Sequence, residues 1–249
     1  MKETILSLKL VENLASKSRL AFFTRSLFES LHFAICRARR FPSHRRGSED
    51  DLAYLTAYKN AMQRMAKVFP TDADVHALYA ESVMNLSPWD YYSRERDNEG
   101  IWRYTPKPDT RHVIAALDTA LKLEPDHLLA LHLSIHVHEV DARAIQKDSD
   151  IEGIARRLQR LVEPLSDEVA RCGIGHLLHM PSHIWKQVGR YEEANRVNKE
   201  AIAMAEAYYA HFDISERSDS FNHFHYTTYF CHRITFVVYA SMMSGQFEV

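Results

Sequence analysis

Apolar residues recur along most of this chain at the three- and four-residue spacing of amphipathic helices. LAYLTAYKNAMQRMAKVFP, from Leu52, predicts a helix with Leu52, Leu55, Met62, Met65 and Phe69 on one side, closed by Pro70. Asp72 or Asp74 can cap a second helix over DVHALYAESVMNL. A helix from Thr110 to Leu123 runs into LEPDH, and LHLSIHVHEV continues the pattern. A charged helix from about Asp148 to Leu161 stops before Pro164. GHLLHMPSHIWKQVGRYEEANRVNKEA, residues 175–201, predicts two helices broken apart at Gly189 and Arg190. Tyr191, Ala194, Asn198 and Ala201 give the second of these a stripe where small residues let a neighbouring helix approach. The last predicted helix, about Phe221 to Met243, stops at Gly245. Between residues 87 and 108 the periodicity lapses, and SPWDYYSRERDNEGIWRYTPKP reads as an insertion rich in aromatics and charge.

So few breakers, 7 Gly and 8 Pro in 249 residues with 46% hydrophobic content, argue for an all-α fold with a sizeable core and against an all-β one. A net charge of -2 removes any whole-chain attraction to nucleic acid or anionic membrane, and no apolar run reaches the ~18 residues of a membrane span. Cys36, Cys172 and Cys231 are far apart and form no CxxC, as expected of reduced thiols in the cytoplasm. Residues 1–48 carry many Arg and Ser, with a basic cluster from Arg37 to Arg46, and lack the apolar core and cleavage site of a secretory signal. Glu3, Glu12 and Glu29 count against a transit peptide, so the segment is expected to be a divergent helical and basic cap. Residues 49–249 form the second predicted unit.

Part of that unit repeats. Met65 stands five residues before Pro70 as Ala120 does before Pro125, and Gly189-Arg190-Tyr191-Glu192 is echoed by Gly245-Gln246-Phe247-Glu248. The spacing is about 55 residues, longer than the ~34 of a tetratricopeptide (TPR) unit, but helix, Gly-x-Tyr-x-x-Ala turn and helix is the TPR layout. AESVMNLSPWD, IHVHE and GHLLHMPSHIWKQVGRYEEA resemble the A-E-x-x-M-x-L-x-P-W, I-H-x-x-E and G-H-L-x-H-M-P-S-H-I segments of a TPR-type family, over roughly Asp51 to Glu248. The resemblance implies a right-handed α-solenoid of antiparallel helix pairs whose first helices line a concave groove, and a protein or peptide partner. CHRITF departs from the family's P-H-N-x-H-F: His232 is kept and Thr235 replaces the second His. The final residues read as the start of a further helix, as in an incomplete or divergent member. Tyr239, Met242 and Met243 would then be uncovered and favour self-association.

The 15 histidines are the candidate chemistry. His132 and His136 are four apart, with Glu139 a turn on; His176, His179 and His183 share a face; His225 and His232 are seven apart. On the implied fold these side chains enter one groove together with Glu81. Histidines at such spacings, with a carboxylate, can hold a divalent transition metal, which makes His132, His136, Glu139, His176, His179, His183 and His232 candidate ligands. The other reading is a polar groove in which the imidazoles bond one another, carbonyls and the two glutamates. His112, His127 and His211 read as surface or cap positions. The insertion's Trp89, Tyr91, Tyr92, Trp102 and Tyr104 read either as a recognition surface or as a lid on the helices, with Glu81, Trp89, Tyr92 and Trp102 as candidate partner-binding residues. GxSxG, phosphate-cradling Gly loops and CxxC pairs are absent, the Cys172–His176 spacing reads as coincidence, and no catalytic residue is assigned. Two readings therefore stand: an interaction module, and a metal-dependent protein or enzyme. Convergence separates them, because ligands must meet at one point whereas a peptide groove spreads its polar groups out.

Overall fold

The computed structural model describes residues 48–140, 150–163, 175–212 and 220–246, with side chains at 48–51, 208–212 and 220–227 excepted. The predicted cap over 1–48, Cys172, and the side chains of His211 and His225 lie outside the described residues. Most of the described chain is helical: α1 (Ser48–Val68), α2 (Ala73–Met84), α3 (Pro108–Leu123), α4 (Leu128–His138), α5 (Ile151–Val162), α6 (Gly175–His179), α7 (Pro181–Gln187), α8 (Tyr191–Phe212) and α9 (Ser220–Ser244). None of these helices is long and apolar enough to cross a membrane.

Local chemistry sets the boundaries. Of the two candidate caps for α2, Asp72 is the one used, its Oδ1 accepting from the Val75 N–H at 3.2 Å. Asp74 lies inside the first turn and accepts from His127 Nε2 at 3.0 Å, while His127 Nδ1 caps α4 through the Ala130 N–H. Pro108 opens α3 two residues before the predicted start, because a first-turn proline forfeits no intrahelical bond. Asp150 caps α5 through Gly153.

The insertion is not irregular. Tyr92–Arg96 (β1) and Trp102–Pro106 (β2) pair antiparallel, Tyr92 opposite Pro106 through to Arg96 opposite Trp102, so the all-α expectation needs this correction. Asp97 Oδ1 accepts from the N–H groups of Glu99 and Ile101, and its Oδ2 accepts from Arg103 at 2.8 Å. Thr110 Oγ1 donates to the Tyr91 carbonyl and ties the hairpin base to α3. Tyr91 is buried and Tyr92 packs against the α2–α3–α4 core, whereas Trp89 and Trp102 face solvent.

Among the described residues, three apolar clusters run along the chain. Tyr58, Met62 and Met65 of α1 pack on Val75 of α2. Leu52 is 56% exposed, contrary to its place in the predicted stripe. Of the described elements α1 packs chiefly on α2, and 21 residues reach about 31 Å while 12 reach about 18 Å, so the first turns of α1 overhang. The second cluster joins α2, α3 and α4; the third joins α4 to α5, α6, α7 and α8, with Ala240 of α9. Helix α4 serves both. Ala130, Leu133 and Val137 enter one cluster, Leu131 and Ile135 the other, and the strip left over carries His132 and His136.

Helices α7 and α9 end alike. Gly189 (φ 81°) and Gly245 (φ 71°) take the left-handed conformation, and the next N–H reaches back, Arg190 to Trp185 at 2.8 Å and Gln246 to Ser241 at 2.9 Å. Each is a Schellman cap, which accounts physically for the glycine that recurs at 189 and 245. Along the exposed side of α9, Ile234, Val238, Tyr239, Met242 and Met243 face solvent.

Candidate metal centre

The histidines of three chain segments meet. Helix α4 brings His132 and His136, and its end brings Glu139. The α6–α7 segment, predicted as one helix, is broken between His179 and Pro181, because Pro181 has no N–H to continue the ladder. The break is slight, and His176, His179 and His183 still face the same way. Leu178, Met180, Ile184 and Trp185 hold the opposite side in the core. Trp185 is pinned there by its indole N–H on Gln159 Oε1 at 3.0 Å and by Arg156 and Arg190 over its ring. A Cβ on Gly175 would sit 3.3 Å from the Ala201 carbonyl oxygen, so glycine lets α6 lie close on α8. From α9, His232 and Phe236 occupy successive turns of one face.

Two triplets result. One nitrogen from each of His132, His136 and His176 lies within 4.8 Å of the others, and the same holds for His179, His183 and His232. The triplets are neighbours: the rings of His136 and His183 are centred 5.6 Å apart, and those of His176 and His179 5.8 Å. Glu139 lies between them, with Oε2 against His183 Nδ1 and Oε1 3.5 Å from His136 Nδ1. Gln187 Nε2 donates to the Glu139 carbonyl at 2.9 Å, which clamps the end of α4 to α7. Phe236 closes one side with its ring centred 4.6–4.8 Å from those of His179, His183 and His232, and the Lys186 ammonium sits 4.1 Å from the Phe236 centroid.

Hydrogen bonds behind two members of the second triplet, His179 and His183, set their tautomers. Asn198 Nδ2 donates to the Ala194 carbonyl at 2.6 Å, which turns Oδ1 toward His179. His179 Nδ1–H then donates to that oxygen at 2.5 Å. His183 Nδ1–H donates to Glu139. With both Nδ1 atoms protonated, the Nε2 atoms of His179 and His183 present lone pairs, and they face one another at 2.9 Å. Two lone pairs that close repel unless a cation lies against both. Two nitrogens each about 2.0–2.1 Å from one ion are themselves about 2.9–3.4 Å apart, so the separation suits a shared metal.

A proton is the competing cation, and burial works against it. Burial, then the charge of His183, holds the His179 imidazole well below its usual range, with only partial opposition from Asn198. Burial likewise lowers His183, opposed by Glu139, and lowers His176, helped by His132 and His136. His132 is pushed down to about 3 and His232 to about 4, both chiefly by burial. Burial alone would raise the Glu139 carboxyl, but hydrogen bonds from His136 and His183 outweigh it and keep the group ionised. Neutral imidazoles with one carboxylate are the protonation states metal binding needs.

Of the candidate residues, His132, His136, Glu139, His176, His179, His183 and His232 come together. Glu81 is half-buried on α2 and belongs to neither triplet. Trp89 (75% exposed, φ 60°), Tyr92 and Trp102 lie on or beside the hairpin, where Arg94 and Arg96 stack on Trp102. His138, four residues past Ser134, bonds that carbonyl at 2.8 Å and takes no part. The sequence pattern marks Asn198 only as a contact residue in a stripe of small residues and gives no sign of Phe236, Gln187 and Lys186. A buried Asn in an otherwise apolar stripe was the signal for the first. No protein-family model, curated protein or solved structure matches this chain.

Proposed function

We propose that this protein binds a divalent transition-metal ion through His179, His183 and His232, and that it is a metal-dependent protein rather than a scaffold alone. The observation that carries the reading is the pair of Nε2 lone pairs 2.9 Å apart, each imidazole oriented from behind by Asn198 or Glu139. Backing of this kind orients metal-bound histidine and raises its basicity. The three imidazoles that the described residues bring to this triplet match the count of open, catalytic-type zinc sites, in which water or substrate completes the shell. Zinc, copper, iron and nickel all suit such donors.

The architecture that supports this site is read as a TPR-like right-handed solenoid of antiparallel helix pairs. The matched Schellman caps and the family-like motifs favour it. The exposed thiol of Cys231 suits the reducing cytoplasm. A peptide-binding role is favoured by one separate feature, the exposed Trp102 held between Arg94 and Arg96 on the hairpin.

The test is metal analysis of purified protein and thermal melts with added Zn(II) or chelator, for the wild type and for His179→Ala combined with His183→Ala. The wild type should melt higher with Zn(II), by the equivalent of about 2.7 kcal/mol at a hundredfold excess over Kd. The double variant should bind no metal at this triplet and lose that increment. Equal losses with and without chelator would instead identify a purely polar cluster.

A further inference from the structure

We propose that His132, His136 and His176 take a second divalent transition-metal ion, and that Glu139 is the carboxylate shared by the two sites. The inference rests on the metal reading above and extends it to a two-ion centre. His132 Nε2 and His176 Nδ1 are buried side-chain nitrogens without a hydrogen-bond partner among the described residues, on rings whose centroids are 5.1 Å apart. Buried polar atoms are normally satisfied, so two orphans side by side in a cluster of three imidazoles mark a place for a Lewis acid. The third member, His136, turns Nδ1 toward Glu139 Oε1, which leaves Nε2 as its ligand atom. One nitrogen of each ring lies within 4.8 Å of the other two, a gap that small ring rotations close.

Glu139 makes the two triplets one unit. Its Oε1 faces an imidazole of the first and its Oε2 an imidazole of the second, so a single carboxylate orients one ligand in each. The six imidazoles are neutral donors and bring no charge. Two divalent ions this close repel strongly, and within the cluster Glu139 supplies the negative charge that offsets them. Its substitution should therefore weaken both binding steps. By contrast Asn198 bonds a single imidazole of the cluster, His179, and its loss should weaken one.

The experiment is equilibrium dialysis against Co(II), with metal analysis and ligand-field absorption, on the full chain. The wild type should bind two ions. His132→Ala with His176→Ala should bind one, retained at the second triplet; His132→Gln with His176→Gln, closer in volume, repeats the test if the alanine pair does not fold. Glu139→Gln should weaken both steps by about 10–100-fold, and Asn198→Ala only one, with far-UV circular dichroism showing each variant folded. One ion in the wild type, abolished by His179→Ala with His183→Ala, overturns the second site and leaves the first reading standing. No bound ion overturns both. Glu139→Gln weakening a single step overturns the shared role of the carboxylate.

Discussion

Asn198 is a short amide on a helix face otherwise given to packing, and it determines which nitrogen of His179 carries the proton. Replacing it by alanine removes the close acceptor of the Nδ1–H and leaves Ser182 Oγ, 3.5 Å away, as the remaining one, which costs about 1 kcal/mol of stability. It also frees the ring to change tautomer or turn. We expect Asn198→Ala to lower Zn(II) affinity about 10–100-fold, measured by competition with a chromogenic chelator. Unchanged affinity would mean that the imidazole is oriented by packing against Phe236 and not by the amide. The same logic explains why Glu139 stays ionised inside the fold: two imidazole N–H groups outweigh the penalty of burying it.

Helix α8 meets α6 at Gly175 and α9 at Arg233, whose guanidinium donates to the Ala201 carbonyl at 3.2 Å. Ala194 and Ala201 are fully buried at this junction, as the stripe of small residues predicts. Ala201→Trp has no room there, and should cost about 1–3 kcal/mol or more by overpacking, read from the denaturant midpoint. A midpoint equal to the wild type would refute the packing register of α8. Because α6 carries His176 and His179, the same substitution should also disturb the proposed metal centre. Asn195 adds a polar lock on the far turn, donating to Ser241 Oγ at 2.8 Å and to Gln246 at the Schellman cap of α9.

Taken together, the buried neutral histidines make the fold sensitive to acid. Unfolded, they titrate near 6.5, whereas folded His132 titrates at about 3 and His232 at about 4, with His176, His179 and His183 also lowered. Below 6.5 the unfolded chain binds more protons than the folded one. Their contribution is therefore fully present above pH 6.5 and is lost as pH falls toward 4 and below. Metal-free protein should show a falling Tm between pH 6.5 and 4, followed by thermal melts in chelator, and saturating Zn(II) should move the onset of the fall to lower pH. A flat profile over that range would show that these imidazoles are already solvated in the folded state.

The helices themselves were legible in the sequence, since their periodicity, proline stops and glycine caps are local signals that need no partner. Met62 and Met65 in the core, an aspartate cap at residue 72 or 74, and helix ends at Gly189 and Gly245 all follow from that reading, and the structure chose Asp72. So does the gathering of histidines on common faces, because spacing of three and four is a property of one helix. The hairpin at 92–106 was hidden by its charged residues: YSRER pairs with WRYTP through backbone bonds that composition does not reveal. Nor could the exposure of Leu52 be read, for it depends on the length of the neighbouring helix. Above all, the division of seven residues into two triplets about one carboxylate came only from tertiary structure. The sequence places His136 and His183 on separate helices 47 residues apart, and only the packing of α4 against α7, sealed by Gln187 on the Glu139 carbonyl, brings both imidazoles onto the same side chain.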